Sequence, residues 1–463
     1  TPVRHHHDIS DVSTLLLMPA WSKHWAGLKT VVFKTDNAAQ GLPTIQASYL
    51  LIDQKTGETV AMMDGGEIIR VLAARGHDVT WWSATWSHRR KAIRSLPLGL
   101  HDDEGFLLRL VAVRPYEKNV SFARIGSHRD FGRTFERLAC ESVAAGQLER
   151  PDLIVASLPP LEGPEAAIRV GRKLDAAVVV DVQDLWPETF ARLVPGPAFL
   201  RGLVAPWILR GMRDRRRAIL AAADGVSATA PSHLERIAAE IPSETPRHVC
   251  LLGAYPQEFP DTPRGVNHVP VAGGEASAPG PLECVYAGTL EAGQDLDALV
   301  AAARALSGEG VAATIHVAGT GALEPAIQRA AAGLKGPCRI VHHGLLGRRD
   351  YVRLLGGADV GLVCVRPESQ VVLPNKACDY AAAGLAIVNS LPGELQRLVE
   401  SYGAGVAYAA GDGASLARAI TGLATDRRRL AATRRSARRL AAAEFDRERL
   451  YPRFADWLET FRR

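Results

Sequence analysis

Residues 371–390, VVLPNKACDYAAAGLAIVNS, contain the signals for one helix followed directly by one strand. Pro374 has the fixed φ angle that suits a first helical turn, so a helix is predicted to begin there or one residue later. The small run AAAG allows that helix to approach a sheet closely. LAIVNS (385–390) is a short apolar run typical of a buried strand. The stretch therefore predicts one helix–strand unit of a parallel sheet.

The same alternation continues in both directions from this stretch. In the C-terminal half the strand-like runs are LECVYAGTL, AATIHVAGTG, CRIVHHGLL and ADVGLVCV, and in the N-terminal half alternation is predicted from SYLLID (48–53) onward. The segment 261–281 is rich in Pro, Gly and small residues and has no apolar period, so it is predicted to be a linker. The sequence thus predicts an α/β chain with two Rossmann-like, doubly wound parallel-sheet domains.

These patterns give five predicted segments and a cleft. The segments are an N-terminal extension or cap (1–46), a first Rossmann-like domain (47–262), a linker (263–281), a second Rossmann-like domain (282–445) and a C-terminal helix that crosses back to the first domain (446–463). Ligands of open parallel sheets lie beyond the carboxyl ends of the strands, so the ligand is expected between the two domains.

Composition limits the classes of function. The 463 residues are 47% hydrophobic and 23% charged with a formal charge of +5, as in a soluble globular protein, and no nucleic-acid partner is expected. The six cysteines form no C-x-x-C pair, which suggests neither disulfides nor zinc and fits a reducing cytoplasm. No apolar run reaches the roughly 18 residues of a membrane span. Neither HHH (5–7) nor HDDE (101–104) is interpreted as a metal site.

The predicted helix start in the opening stretch favours an anion. Free backbone N–H groups, the positive end of the helix dipole and the Lys376 ammonium together suit a diphosphate, with Asn375 as a neutral donor. Asp379 lies one turn further along the same face, where a carboxylate can accept hydrogen bonds from ribose hydroxyls. The helix is therefore predicted to hold a nucleoside diphosphate. The alternative is that all three are ordinary solvated residues of a helix start.

Two glycine turns follow strands in the same half of the chain. Gly288 ends CVYAG, and Gly319 with Gly321 ends IHVAGTG, where missing side chains permit backbone approach to a phosphate or a base. GTGALE is not a complete G-x-G-x-x-G, because Glu324 occupies the last glycine position. Ordinary strand-to-helix turns are the alternative interpretation.

With these motifs, residues 48 to about 445 resemble the retaining GT-B glycosyltransferases of family 4, which use nucleotide sugars. The resemblance rests on the content and order of GGEIIRVLAARGHDVTWWSA, DVQDLWPE, VYAGTLEAGQDLDALVAA, VAGTG, VHHGLL, ADVGLV and PNKACDYAAAG. DLWPE and the residues around TGE and HDVTWWS resemble the sequences of the branch that builds O-antigen and capsule polysaccharides, including N-acetylfucosaminyl transferases.

The resemblance implies a role for each matching residue. Asp379 matches the second Glu of the family's E-x7-E element, which binds ribose. The turn from Leu373 through Pro374 and Asn375 to Lys376 matches the phosphate-facing turn. The other donor-side positions are Gly65 and Gly66 in the N-terminal glycine loop, Gly288 and Thr289 near the diphosphate, Gly319 and Gly321, and Leu345 in the turn that meets the base.

The sequence departs from the family pattern at two donor-side positions. Val371 stands at the first Glu of E-x7-E, and Gln294 stands where a Lys is common. Lys376 is then expected to supply much of the positive charge, with help from Arg366. The resemblance implies transfer without a protein base or a metal, the leaving diphosphate assisting deprotonation of the acceptor. Asp184 and Glu188 of DLWPE are the acids expected to orient donor or acceptor, unless they serve structure alone.

The resemblance implies a donor, an acceptor and a location. The domain 282–445 is expected to bind a nucleotide-sugar donor that is UDP-linked, and the domain 47–262 to receive the acceptor, which is a glycan, a lipid-linked sugar or a small molecule. The segment 198–217, AFLRGLVAPWILRGMRDRRR, combines apolar residues with arginines, as helices at an anionic membrane surface do. A partly buried helix with a basic end is the alternative. A cytoplasmic protein, peripheral at the inner face of the membrane, is expected.

Two other functions fit the same fold. One is a catalytically silent GT-B partner subunit, suggested by Val371 and Gln294. The other is a GT-B nucleotide-sugar epimerase, which needs no acceptor.

Overall fold

The computed structural model describes residues 5–10, 13–21, 25–34, 45–53, 67–87, 92–94, 100–103, 106–117, 121–188, 190, 207–259, 280–291, 293–369 and 371–461. The chain divides into two compact units, residues 1–70 and 71–463. Of the predicted features, Gly65, Gly66, the linker residues 263–279 and the first part of the 198–217 segment lie outside the described residues.

The first unit contains a four-stranded antiparallel sheet. Its strands are β1 (His5–Ser10), β2 (Ser13–Trp21), β3 (Trp25–Lys34) and β4 (Ile45–Asp53), paired in chain order. Antiparallel neighbours accept short connections, whereas a parallel pair needs a crossover of a dozen or more residues. SYLLID lies in β4, where Leu50 is opposite Leu28 of β3. The prediction that parallel alternation begins at SYLLID is therefore wrong.

The second unit begins with two sheets and the helices around them. The strands are β5 (Thr80–Ala84), β6 (Trp86–Ser87), β7 (Ala92–Ile93), β8 (Leu100–Asp103), β9 (Phe106–Val111), β10 (Leu153–Leu158), β11 (Ala177–Val182), β12 (Gly225–Ala228) and β13 (Arg247–Val249). The helices are α1 (Glu67–Ala74), which spans the boundary of the units, α2 (Phe122–Ala144), α3 (Glu162–Leu174), α4 (Arg210–Ala221) and α5 (Pro231–Ile237). One sheet has the order β5-β9-β8 and the other the order β10-β11-β12-β13, while β6 and β7 form a hairpin.

The C-terminal region has the predicted doubly wound sheet. Its strands are β14 (Leu282–Ala287), β15 (Ala313–Ala318), β16 (Cys338–Gly344), β17 (Val360–Val363), β18 (Ala386–Asn389) and β19 (Gly405–Ala407), in the order β16-β15-β14-β17-β18-β19 and all parallel. The helices are α6 (Leu296–Gly308), α7 (Glu324–Gly333), α8 (Arg348–Gly356), α9 (Asn375–Ala382), α10 (Glu394–Tyr402), α11 (Gly413–Thr425) and α12 (Arg427–Leu440). Separate apolar cores lie on the two faces of this sheet.

The two parallel-sheet regions differ in strand order. The C-terminal order is third, second, first, fourth, fifth and sixth in chain order, which is the doubly wound arrangement. In the described part of the N-terminal region β9 is parallel to β5 and antiparallel to β8, and β10 to β13 are parallel and paired in chain order. No strand within the described ranges pairs with the second edge of β5 or of β10. Both strands contribute to one apolar core, because Trp82 of β5 and Ile154 of β10 pack against the same cluster. The Val155 side chain of β10 is 43% exposed.

The last helix, α13 (Arg447–Glu459), packs against the N-terminal region of the second unit. Its Phe454 and Trp457 rings stack on His248, with centroids 5.5 and 5.2 Å away. The side chain of Asp456 forms a 2.8 Å ion pair with Arg75. A backbone hydrogen bond from Ala254 to Phe445 joins the segment after β13 to the turn before this helix.

Candidate functional site

Helix α9 begins at Asn375, with Pro374 as its N-terminal cap residue in extended conformation. The predicted helix start is confirmed. Tyr380 fixes the helix against the sheet, because its buried hydroxyl accepts a 2.7 Å hydrogen bond from the Ala287 N–H at the end of β14. A side chain at Gly361 of β17 would come within 2.4 Å of the Tyr380 ring, so the glycine gives this ring its space. The start of α9 is thereby held beside the end of β14.

Three of the predicted glycines converge at this place. Gly288 has a φ of +152°, and a Cβ added there would lie 2.8 Å from the Lys376 Nζ. A Cβ on Gly319 would lie 1.8 Å from the Gly288 carbonyl oxygen, and one on Gly321 would lie 2.6 Å from the Leu290 carbonyl oxygen. A side chain at Gly319 or Gly321 would force a backbone shift, whereas one at Gly288 would displace the Lys376 side chain and be strained by the positive φ. The structure therefore brings Gly288, Gly319 and Gly321 together beside α9.

Lys376 is a partly buried cation at the centre of this group. Its Nζ lies 4.0 Å from the centroid of the Tyr286 ring and donates a 3.3 Å hydrogen bond to the Gln294 Oε1. Burial lowers the pKa of Lys376 to about 8. No carboxylate of a described residue forms an ion pair with it. The ammonium is thus held by neutral groups and keeps its charge for an incoming anion.

Asp379 lies one turn further along α9, as predicted, but its carboxylate already has protein partners. Its Oδ2 accepts a 3.0 Å hydrogen bond from the Tyr351 hydroxyl and a 3.4 Å bond from Arg348. Burial raises the pKa of Asp379, although the charge of Arg348 and the bond from Tyr351 act against this rise. Arg348 also pairs with Glu258, in the segment that follows β13. The acceptor for a ribose would then be the Oδ1 atom of Asp379, which accepts no hydrogen bond from the part of the chain described.

The remaining donor-side residues differ in their surroundings. Arg366 forms a 2.6 Å ion pair with Asp297, so its charge is partly compensated. The Leu373 side chain is buried in the core, which leaves only its backbone to face a phosphate. Asn375 is exposed at the helix start, and Leu345 is 68% exposed after the turn at Gly344. The Thr289 carbonyl accepts a 2.9 Å hydrogen bond from the Tyr286 hydroxyl.

Glu188 of DLWPE lies in an ion-pair network. Arg216, which is 3% exposed, pairs with Glu188 and Glu240 and donates a 2.7 Å hydrogen bond to the Trp186 carbonyl. Arg213 pairs with the same Glu188 at 3.1 Å. Burial acts to raise the pKa of Glu188, but the hydrogen bond and charge of Arg216 bring it below its ordinary value. The structure gives Glu188 a role in joining α4 to the DLWPE turn.

Asp184, the other predicted acid, is half-buried near the same turn, and its Oδ1 accepts a 2.8 Å hydrogen bond from the Leu185 N–H. This local bond fits the alternative in which the DLWPE acids serve structure alone. Neither DLWPE acid has a described contact with Lys376 or the glycine turns.

The arginines of the basic segment are engaged in ion pairs. Arg215 pairs with Glu162 and Glu165 of α3, and Arg217 pairs with Asp214 at 3.3 Å. Arg213 and Arg216 pair with Glu188, as described above. All four arginines, at positions 213, 215, 216 and 217, therefore have carboxylate partners. Trp207 and Ile208, at the start of the described part, are 78% and 51% exposed. The feature that fits a membrane surface is this apolar pair rather than the arginines.

The described ranges hold neither a clustered metal site nor a membrane-spanning helix. They contain no cluster of three or more His, Cys, Asp or Glu side chains that is placed to bind a metal ion. No helix in the described part of the chain is long and apolar enough to cross a membrane.

Sequence reasoning missed three side chains of the site. Tyr286 and Gln294 contact Lys376, and Arg348 contacts Asp379. Tyr286 stands in an apolar strand and resembles a core residue, and the sequence shows Gln294 only as a departure from the Lys that is common at that position. Arg348 lies 31 positions from Asp379 in sequence, so no local pattern connects the two.

Two segments of the chain match different family models. Residues 281–426 match the family model described as glycosyl transferases group 1. Residues 2–75 match that of the ornithine cyclodeaminase/mu-crystallin family. Protein SAR DEFICIENT 4 of Arabidopsis thaliana is 44% identical over 69 residues, which is 14% of this chain and 21% of that protein. Residues 48–75, which the sequence resemblance included, thus lie in the second match.

The fold is similar to that of several solved structures. Sucrose-phosphate synthase from Thermosynechococcus elongatus has a TM-score of 0.61 at 16% identity, covering 85% of this chain and 91% of that one. The E. coli trehalose-6-phosphate protein bound with UDP-2-fluoro glucose has a TM-score of 0.58 at 14% identity, covering 87% and 97%. Anabaena Alr3699/HepE in complex with UDP has a TM-score of 0.54 at 15% identity, covering 76% and 86%. The chain has a two-domain GT-B fold, and the match of residues 281–426 supports a GT-B glycosyltransferase.

Proposed function

We propose that the protein is a retaining family 4 glycosyltransferase that takes its sugar from a UDP-linked donor bound by the C-terminal domain. The observation that carries the proposal is the Lys376 ammonium, held by neutral groups between the glycine turn at Gly288 and the start of α9. A cation, free backbone N–H groups and a helix dipole at one place suit a diphosphate. The complexes of similar structures with UDP and UDP-2-fluoro glucose support the choice of nucleotide.

In this proposal each group has one task. The bond from the sugar's anomeric carbon to the diphosphate oxygen breaks, the acceptor oxygen bonds to that carbon on the same face, and the leaving diphosphate takes the acceptor's proton. Negative charge grows on the diphosphate, so Lys376 and the N–H groups of α9 stabilise the transition state more than the ground state. Asp379 accepts a ribose hydroxyl through Oδ1. No metal is required, because the ammonium and helix end supply the positive charge.

The acceptor belongs to the N-terminal side in this proposal. A glycan, a lipid-linked sugar or a small molecule would each provide the required hydroxyl, and polysaccharide biosynthesis in the cytoplasm is the setting that the resemblance suggests. The exposed pair Trp207 and Ile208 would bring the protein to the inner face of a membrane if the acceptor is lipid-linked.

One structural observation favours a second candidate, a catalytically silent subunit. Glu188, an acid expected to orient donor or acceptor, pairs instead with Arg213 and Arg216. Without an acid available on the acceptor side, the chain would keep a donor-binding domain that has no functional acceptor side. Such a subunit would bind UDP and turn over no UDP-sugar.

A screen of nucleotide sugars by thermal shift, followed by turnover, tests the proposal. A ligand at 100 times its dissociation constant stabilises the folded state by about 2.7 kcal/mol, so a UDP-sugar that binds gives a clear shift. We expect stabilisation by UDP and at least one UDP-sugar, and slow release of UDP from that sugar. Binding without any hydrolysis or transfer would favour the silent subunit, and no binding would overturn the proposal.

A further inference from the structure

Gln294 occupies a position between a cation and a phenol. Its Oε1 accepts a 3.3 Å hydrogen bond from the Lys376 Nζ and lies 2.9 Å from the Tyr286 hydroxyl, whose single proton is shared between this oxygen and the Thr289 carbonyl, also at 2.9 Å. The Tyr286 ring lies under the same ammonium, 4.0 Å from the Nζ. The Gln294 backbone is fixed as well, since its N–H donates to the Glu291 carbonyl and it forms a bridge with Val365. The side chain and the backbone of Gln294 are thus both held in place by neighbouring residues.

The chemistry of the three groups determines the orientation of the amide. An ammonium group only donates hydrogen bonds, so the carbonyl oxygen of Gln294 must face Lys376, and the amide NH₂ points away from it. A carboxylate in this place would cancel the charge, as Asp297 partly does for Arg366 at 2.6 Å. A neutral acceptor orients the ammonium and leaves its whole charge available.

We propose that Gln294, oriented by the Tyr286 hydroxyl, is the positioning residue that holds the Lys376 ammonium against the Gly288 turn in a form able to bind a diphosphate. The inference rests on the proposed donor site. It also explains why a Lys is not found at position 294, because a second ammonium would replace the acceptor at hydrogen-bond distance from Lys376 and repel it. The oriented ammonium of Lys376 then supplies the positive charge that Lys376 and a second Lys at position 294 would otherwise share.

Two variants of nearly equal size change the ammonium in opposite directions. Gln294→Glu places an anion beside Lys376 and raises the pKa of that side chain above its value of about 8. Gln294→Met removes the acceptor and lowers this pKa further. A diphosphate needs the protonated form, so wild-type UDP affinity falls as the pH rises through about 8. We expect the midpoint of this fall to move upward in Gln294→Glu and downward in Gln294→Met.

The affinity for UDP at pH 7 should fall by about tenfold or more in both variants. Gln294→Glu neutralises the Lys376 charge, and Gln294→Met removes the acceptor that holds the ammonium in place. Tyr286→Phe keeps the ring and removes the hydroxyl, so its midpoint should move in the same direction as that of Gln294→Met, and less far. Gln328→Glu, the same chemical change on the exposed face of α7, is the matched control and should leave both affinity and midpoint unchanged.

The experiment measures UDP binding by calorimetry from pH 6 to 9.5 and, without ligand, the titration of the lysine ε-carbons by NMR, with the Lys376 signal assigned from Lys376→Arg. Opposite shifts of the Lys376 midpoint in Gln294→Glu and Gln294→Met support the inference. A midpoint that neither variant moves overturns it, even if UDP binds normally. Absence of UDP binding by the wild type at every pH overturns the proposed function instead, and the positioning role for a diphosphate with it.

Discussion

Lys376 lies where an ammonium group is costly in the absence of a ligand. Burial lowers its pKa to about 8, and within the described ranges only Gln294 accepts a hydrogen bond from it. Cations that merely stabilise a fold are usually paired with a carboxylate when buried, as Arg434 is with Asp359 at 2.6 Å in the same domain. The difference between these two cations is the residue-level reason to assign Lys376 to ligand binding.

Lys376→Ala and Asp379→Asn are expected to impair the use of a UDP-sugar in different ways. Each removes one charge-assisted contact, so each should weaken UDP-sugar binding about tenfold to a hundredfold. Lys376→Ala should also lower kcat, because charge grows on the leaving diphosphate in the transition state. Asp379→Asn lies away from the breaking bond and should mainly raise KM. Steady-state kinetics on both variants separate these effects.

Lys335→Ala, at an exposed position between α7 and β16, is the control for loss of a lysine charge. Affinities close to the wild type in both Lys376→Ala and Asp379→Asn would return α9 to an ordinary helix start and remove the donor-site argument.

At the scale of the element, α4 is attached to the DLWPE turn by Arg216. Arg216→Met leaves Glu188 with Arg213 alone and Glu240 without a described partner, and loss of one member of a buried ion pair typically costs 3 to 5 kcal/mol. We expect a decrease of roughly that size in the free energy of unfolding, measured with urea, and no change in UDP affinity. Arg217→Met, exposed on the same helix, should change stability by less than about 0.5 kcal/mol. Equal stability of the two variants would contradict this structural role.

The start of the same segment carries the membrane prediction. Substitution of the arginines at 213, 215, 216 and 217 would test their part in membrane contact, but it would also break the ion pairs to Glu162, Glu165 and Glu188. Substitution of the exposed apolar residues is therefore the cleaner test. Trp207→Ser with Ile208→Ser should weaken sedimentation with anionic vesicles, because each removes apolar area from the interface. Val341→Ser, on the exposed part of β16, should not. Unchanged sedimentation in the first variant would show that the pair has no part in membrane contact.

At the scale of the whole molecule, the sequence predicted the C-terminal domain well and the N-terminal region less well. Alternating apolar runs and glycine turns are local signals, and they predict β14 to β18 of the parallel sheet, whereas the short edge strand β19 is not among the predicted runs. The start of α9 follows from the position of Pro374. The contacts of Gln294 and Arg348 do not follow from local signals, because they depend on side chains that tertiary structure brings together.

The N-terminal error has a different physical cause. SYLLID is apolar enough for either kind of strand, and only its pairing with β3 shows that it belongs to an antiparallel sheet. Residues 2–75 match a family model other than the one that residues 281–426 match, and the periodic pattern alone did not reveal this difference. The predicted boundaries at 46, 262 and 281 stay predictions, as do the roles of Gly65 and Gly66.

Calorimetric titration of the full chain with UDP, in buffer with EDTA and in buffer with magnesium, tests the central claim most directly. If α9, the Gly288 turn and Lys376 hold the diphosphate, UDP binds in both buffers with dissociation constants that agree within about twofold, since no metal charge is needed. A heat of binding that appears only with magnesium or manganese, or no binding in either buffer, would contradict the account.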